Sequence, residues 1–286
     1  MRFGVLGSLE AVDEHGPVNL KGPRHRAVLA RLLVARGRVV PASVLIDDLW
    51  DEAPDGALGA VQTFVGALRK AVEPDRPPRT PARLLVTAPP GYALRAEPEA
   101  VDAQRFEAAV AAAAALRPEA ALPVLDEALG LWRGPAYAEF ADQAWARGEA
   151  ARLDEVRLLA VARRAEAALA LGRAAEAVPD LEAHVAAHPL HEDGRRLLAL
   201  ALYRTGRQGD ALATLRQARE VLRAELGVDP GEDLRRLEAD ILAQAPRLAA
   251  QPRARAGHPF VGRTDELAAL EAAAAARPRL ALVSGV

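Results

Sequence analysis

The apolar positions of this chain change period several times, and each change marks an element. Between Arg2 and Leu20, Phe3, Val5, Leu6, Leu9, Val12, Val18 and Leu20 alternate loosely and are broken by Gly4, Gly7, Gly16 and Pro17, which predicts two or three short antiparallel strands. Lys21-Gly22-Pro23-Arg24 is a turn, and Pro23 suits the first position of a helix whose inner face is Val28, Leu29, Leu32 and Leu33. Gly37 ends that helix, and Val39-Val40-Pro41 is an extended step. A second helix, Ala42 to Trp50, turns Val44, Leu45, Ile46 and Leu49 inward, with Ser43 as its expected cap.

An acidic loop, Asp51 to Gly56, leads into a third helix, roughly Leu58 to Val72, which carries two faces. Val61, Phe64, Val65, Leu68 and Val72 recur at i, i+3, i+4, i+7 and i+11, an apolar stripe at helical period. Gln62, Gly66, Arg69, Lys70 and Glu73 fall on the other side. A Pro-rich connector with Arg76, Arg79 and Arg83 follows. Leu84 to Thr87 then reads as a strand, Pro89-Pro90-Gly91 as its turn and Tyr92-Ala93-Leu94 as the return. Helix, turn, helix and hairpin between Val40 and Leu94 are the parts of a winged helix-turn-helix. A helix anchored on one face and polar on the other fits a DNA major groove.

From residue 98 to residue 244 the period is helical. Val101 to Phe106 opens a helix after Pro98, Leu131-Trp132-Arg133-Gly134-Pro135-Ala136 breaks the pattern, and Asp142 to Leu171 is one long stretch without proline. Leu171-Gly172-Arg173-Ala174-Ala175-Glu176-Ala177 and Thr205-Gly206-Arg207-Gln208-Gly209-Asp210-Ala211 then align glycine, arginine and alanine at the 34-residue offset of tetratricopeptide units. His188-Pro189-Leu190 and Val228-Asp229-Pro230-Gly231 fall at unit ends, and Glu232 to Ala243 is the closing helix. Ala245 to Gly257, rich in Pro, Ala and Arg, reads as a linker.

Composition changes the picture little. The chain has 286 residues, 51% hydrophobic but only 4% aromatic, so much of the apolar fraction is alanine and the helices pack thinly. It has no cysteine, which excludes disulfides and thiolate metal sites. No apolar run reaches signal-peptide or membrane-spanning form, so the expectation is a cytoplasmic protein without membrane contact. The net charge of -2 is uneven: residues 1–97 carry 13 Lys and Arg against 11 Asp and Glu, and the remainder is acidic. A balance of +2 is small for a nucleic-acid binder, so affinity has to come from local clustering.

The residues then point to a family. Met1 to Gly7, Gly22 to Leu29, Leu45-Ile46-Asp47-Asp48-Leu49-Trp50, Leu68-Arg69-Lys70-Ala71-Val72 and Pro89-Pro90-Gly91-Tyr92-Ala93-Leu94 resemble the SARP family of bacterial antibiotic-pathway activators. These pair an OmpR-type winged helix with a bacterial transcriptional activation domain. The fold class expected is mainly α: an N-terminal winged helix-turn-helix of α+β type, then an all-α tetratricopeptide-like domain. The expected divisions are 1–97 for DNA binding, 98–244 for activation, 245–257 for the linker and 258–286 for the start of a nucleotide-binding domain. In that last segment His258 to Arg263 and Leu280 to Gly285 resemble the entry to a STAND-class domain. Val286 comes before any Gly-Lys-Ser/Thr, so no nucleotide binding by that route and no enzyme activity or cofactor is expected of these residues, and a longer native protein is expected to carry the domain.

The resemblance implies activation of a secondary-metabolite gene cluster, binding to direct repeats in double-stranded DNA as a homodimer, and contact with RNA polymerase and sigma factor. The implied DNA-contact residues are Trp50, Gln62, Thr63, Gly66, Arg69, Lys70, Arg83, Thr87 and Tyr92, with Arg24, Arg26 and Arg79 as supplementary cations. Asp51, Glu52 and Asp55 match the loop that faces polymerase. Three positions where OmpR-type helices and wings place basic side chains are Gly59, Ala67 and Ala88 here. The alternative is a protein-interaction module in which this degraded helix no longer reads DNA and the tetratricopeptide-like concave face binds a partner. His184, His188 and His191 read as the end of a repeat helix and not a metal site. Asp102 and Glu107 read as ordinary helix-surface charges.

Overall fold

The computed structural model describes residues 1–77 and 79–248. Three short strands, β1 (Arg2–Gly4), β2 (Glu10–Asp13) and β3 (Gly16–Pro17), form an antiparallel sheet in that order, with Phe3 opposite Ala11 and Val12 opposite Pro17. Helix α1 (Pro23–Val34) starts on Pro23, whose missing N–H costs nothing in the first turn. Strand β4 (Val40–Pro41), helices α2 (Ala42–Leu49) and α3 (Ala57–Val72), and strands β5 (Leu85–Ala88) and β6 (Gly91–Leu94) complete a winged helix. The second sheet has the order β4-β6-β5, both pairs antiparallel. Gly91 is required where β6 pairs with β4, because a Cβ there would run into the Val40 carbonyl oxygen. Ser43 does not cap α2: the residue before the helix is Pro41, no side chain bonds the helix start, and Ser43 lies exposed within the first turn.

Among the described residues seven helices follow: α4 (Asp102–Ala113), α5 (Pro118–Leu129), α6 (Ala144–Ala170), α7 (Ala174–Ala187), α8 (Glu192–Arg204), α9 (Gln208–Leu226) and α10 (Glu232–Leu242). The 34-residue repeat is physical as well as sequential. Gly172 and Gly206 both adopt left-handed φ, 68° and 82°, where glycine carries no Cβ penalty. One residue on, the Arg173 and Arg207 N–H groups reach back to the carbonyls of Ala168 and Leu202, the same helix-ending bond in both copies. Both arginines pair three residues ahead, with Glu176 and Asp210, and Ala177 and Ala211 are both fully buried.

Two apolar cores meet along α6. One joins the winged helix to the first helices beyond it, with Phe3, Leu6, Leu29 and Leu68 in the same cluster as Phe106, Leu125 and Leu153. The other fills the helical array from Leu169 and Leu181 to Leu222 and Ile241. The stretch expected as a linker begins packed: Pro246–Leu248 form a 3₁₀ turn, Leu248 is buried, and its carbonyl accepts from Arg204 Nε at 3.1 Å. The rest of that stretch and residues 258–286 lie outside the described residues. No helix among the described residues is long and apolar enough to cross a membrane.

Candidate nucleic-acid interface

The inner face of α3, made of Ala57, Val61, Val65, Leu68 and Val72, is buried against α1 and α2. Phe64, the edge of the sequence stripe, is half-buried. It stacks on Trp50 at 6.2 Å and 23° and tilts against His25 at 4.7 Å. The Arg24 guanidinium lies 5.1 Å from the Trp50 ring centre, a cation–π contact that ties the start of α1 to the end of α2. Burial, then the charge of Lys21, lowers the pKa of His25, so this flank is held by a neutral imidazole at neutral pH.

The outer face presents Leu58, Gly59, Gln62, Thr63 and Lys70 to solvent, with Gly66 and Ala67 half-buried. Gln62 and Lys70 make no hydrogen bond or ion pair among the described residues, so their polar ends are available. Thr63 Oγ1 donates to the Gly59 carbonyl at 2.9 Å, which commits its proton to the helix and leaves its lone pairs outward. A Cβ at Gly59 or Gly66 would meet nothing within 4 Å. Neither glycine is needed for packing, and both open the helix surface to close approach.

Arg69 is placed differently from Lys70. Its Nε donates to the Leu85 carbonyl at 2.8 Å and its Nη2 to Thr87 Oγ1 at 2.7 Å, while the guanidinium lies 5.9 Å from the Tyr92 ring centre. Burial against the wing lowers its pKa from the ordinary arginine value, the attraction of Tyr92 opposing this. Arg69, Thr87 and Tyr92, read from sequence as three separate contacts, are one brace between α3 and the wing. Tyr92 is only 8% exposed and supports the wing from inside. Glu73, just past α3, adds a second brace by accepting the N–H groups of Arg83 and Leu84 on Oε1. The side chains of Arg83 and Arg79 remain exposed. Arg26 is taken away from the interface: it pairs with Glu139 and donates to the Leu9 carbonyl. Asp51, Glu52 and Asp55 are all exposed, on the loop that enters α3.

Residues 16–94 match the family described as "Transcriptional regulatory protein, C terminal", and residues 101–242 match "Bacterial transcriptional activator domain". Transcriptional regulator RedD of Streptomyces coelicolor is 37% identical over 252 residues, spanning 87% of this chain and 72% of RedD. The chain belongs to the SARP family of transcriptional regulators. Regulatory protein AfsR of the same organism is 41% identical, but this SARP chain spans only 25% of it. Transcriptional regulatory protein EmbR of Mycobacterium tuberculosis is 39% identical, with 64% of its length spanned. The solved structure of EmbR in complex with a low-affinity phosphopeptide superposes with a TM-score of 0.78, over 86% of this chain and 65% of that one.

The two halves of the SARP chain are joined by charges that the sequence pattern does not mark. Asp102 and Glu107 are not ordinary surface charges. Asp102 is 5% exposed, and its carboxylate accepts the N–H groups of Val5 at 2.8 Å, Leu6 at 3.1 Å and Ala103 at 2.7 Å, as well as Arg133 Nη2 at 3.2 Å. In return, Arg133, Tyr137 and Ala138 donate backbone N–H groups to the carbonyls of Leu6, Val5 and Gly7. Glu107 and Glu149 both pair with Arg36, at 2.8 and 2.7 Å. Position 102 reads as a first-turn helix acid in sequence, and only the return of β1 to its side shows what the carboxylate serves. The three histidines sit at the α7–α8 turn, with His184 Nε2 and His191 Nδ1 2.8 Å apart.

Proposed function

We propose that this SARP chain is a DNA-binding transcriptional activator that lays α3 in the major groove of direct repeats upstream of a promoter. The observation that carries the reading is the two-sided state of α3. Its inner face is locked by core and wing, while Gln62, Thr63, Gly66 and Lys70 stand open on the outside. Gln62 suits a base edge, since an amide matches adenine, and Lys70 and Arg83 suit phosphates. Arg69, Thr87 and Tyr92 fix the angle of the wing, and Trp50 and Arg24 form the flank that meets the backbone. Residues 1–97 supply DNA binding and residues 98–244 activation.

The exposed acids Asp51, Glu52 and Asp55 at the entry to α3 present a charged loop to RNA polymerase and sigma factor, with two chains on each operator. A secondary-metabolite gene cluster in the cytoplasm of its host is the target we infer, from the resemblance to antibiotic-pathway activators. A gel shift on the upstream region of its own gene, wild type against Gln62→Ala with Arg69→Ala, tests the reading. A low-salt shift lost in the double variant supports it. No shift with any promoter repeat favours instead an interaction module that works through the helical array.

A further inference from the structure

Leu58, Gln62 and Gly66 follow one another at a spacing of four residues along α3, so they form one row on its surface. Leu58 opens the row in the first turn and is 50% exposed. An exposed leucine alone means little, because much of any protein surface is apolar. Its place is what counts. Leu58 borders the buried stripe, seven positions before Val65, yet stays exposed one turn ahead of the free Gln62 amide. Gly59 beside it carries no side chain, and Gly66 leaves open space further along the row.

We propose that Leu58 is a specificity-determining residue that packs on the 5-methyl group of a thymine in the major groove, beside the base pair met by Gln62. This rests on the reading that α3 enters DNA. Thymine alone among the bases offers an apolar group in that groove, and an aliphatic side chain is its complement. Four residues of helix advance about 6 Å, which places the thymine one or two base pairs from the adenine that suits Gln62. The row therefore reads A·T pairs by shape and amide chemistry, with no arginine directed at guanine.

The test uses the full chain and the double-stranded operator defined by footprinting, with each thymine replaced in turn by deoxyuridine. That change removes one methyl and nothing else. Wild type is expected to lose about fourfold in affinity at one or two thymines, the equivalent of burying one methyl group at ~0.8 kcal/mol. Leu58→Ser is expected to abolish that sensitivity while Gln62→Ala retains it. Uridine tolerated at every position by a wild type that still binds overturns the proposal, as does unchanged sensitivity in Leu58→Ser. A Leu58→Ser chain with the wild-type thymine profile but weaker transcription likewise overturns it and assigns Leu58 to a protein contact. A wild type that binds no DNA instead overturns the reading on which the proposal rests.

Discussion

The Arg69 guanidinium donates to Thr87 Oγ1 at 2.7 Å, so α3 and the wing beside it share a charge-assisted hydrogen bond. Arg69 also holds the Leu85 carbonyl, and Thr87 stands opposite Tyr92 in the β5–β6 register. The wing is thereby fixed relative to α3 before any DNA arrives, which lowers the ordering cost of binding.

Arg69→Ala removes both bonds and leaves the Leu85 carbonyl without its side-chain partner. The expected loss is about 1–3 kcal/mol of stability, measured by urea denaturation, with a larger loss in DNA affinity. Arg69→Lys is expected to restore the charge but not the two-pronged brace. Thr87→Val keeps the Leu85 contact, so it is expected to fall between wild type and Arg69→Ala.

Asp102→Ala strands the N–H groups of Val5 and Leu6 and leaves Arg133 short of a buried partner. About 1–3 kcal/mol for each stranded N–H group is expected, Arg133 keeping Glu10 as a partner. Because one apolar core spans the winged helix and α4–α6, urea is expected to unfold these parts in one transition in the wild type. Tryptophan fluorescence checks this through Trp50 in the winged helix and Trp132 and Trp145 beyond it. Two separated transitions would show that the seam contributes little.

Few cations are free at the interface, so the salt dependence of DNA binding is expected to be shallow. Lys70, Arg83, Arg79 and Arg24 predict a log–log slope of about -4 per bound chain, and one steeper than about -8 contradicts the placement. Gly59→Lys adds a cation in open space and is expected to tighten binding and steepen the slope by about 1.

Gly66→Ala separates stability from function. Nothing lies near the added Cβ, so the helix is expected to gain up to about 1 kcal/mol. If the glycine serves close approach to the groove, DNA affinity falls while the thermal midpoint rises.

Burial, reinforced by His191 and His188, lowers the pKa of His184 to about 4. The unfolded chain then takes up a proton near pH 6.5 that the folded chain refuses until about pH 4. Stability is therefore full above pH 6.5 and is lost as pH falls through that window, by an amount on the order of 3 kcal/mol. Urea midpoints between pH 7 and pH 4.5 measure this, and His184→Gln is expected to flatten the dependence.

The order of elements was legible because each carries its own periodicity or breaker. Val61, Val65, Leu68 and Val72 mark the buried side of α3, and Gly172 and Gly206 mark the repeat, at positions where the backbone requires glycine. The outer residues of α3 were legible as a set for the same reason, being what the stripe leaves over. The brace made by Arg69 and the seam made by Asp102 were not legible, for a shared reason. Ala103 apart, their partners lie 16 to 97 positions away in sequence, and periodicity speaks only of neighbours. Leu58 was passed over because an apolar residue at the edge of the stripe looks in sequence like part of the core side, and only its exposure sets it apart.

Placement of α3 in the groove is tested most directly by cleavage from the helix itself. The chain has no cysteine, so Gln62→Cys gives a unique thiol for an iron chelate that cuts nearby DNA. Attachment at Gln62 is expected to cut both strands inside each footprinted repeat, at the same offset in every repeat. The same chelate carried by Leu226→Cys, at the exposed end of α9, is expected not to cut there. No cleavage from Gln62 in a complex that still forms, or equal cleavage from Leu226, contradicts the account.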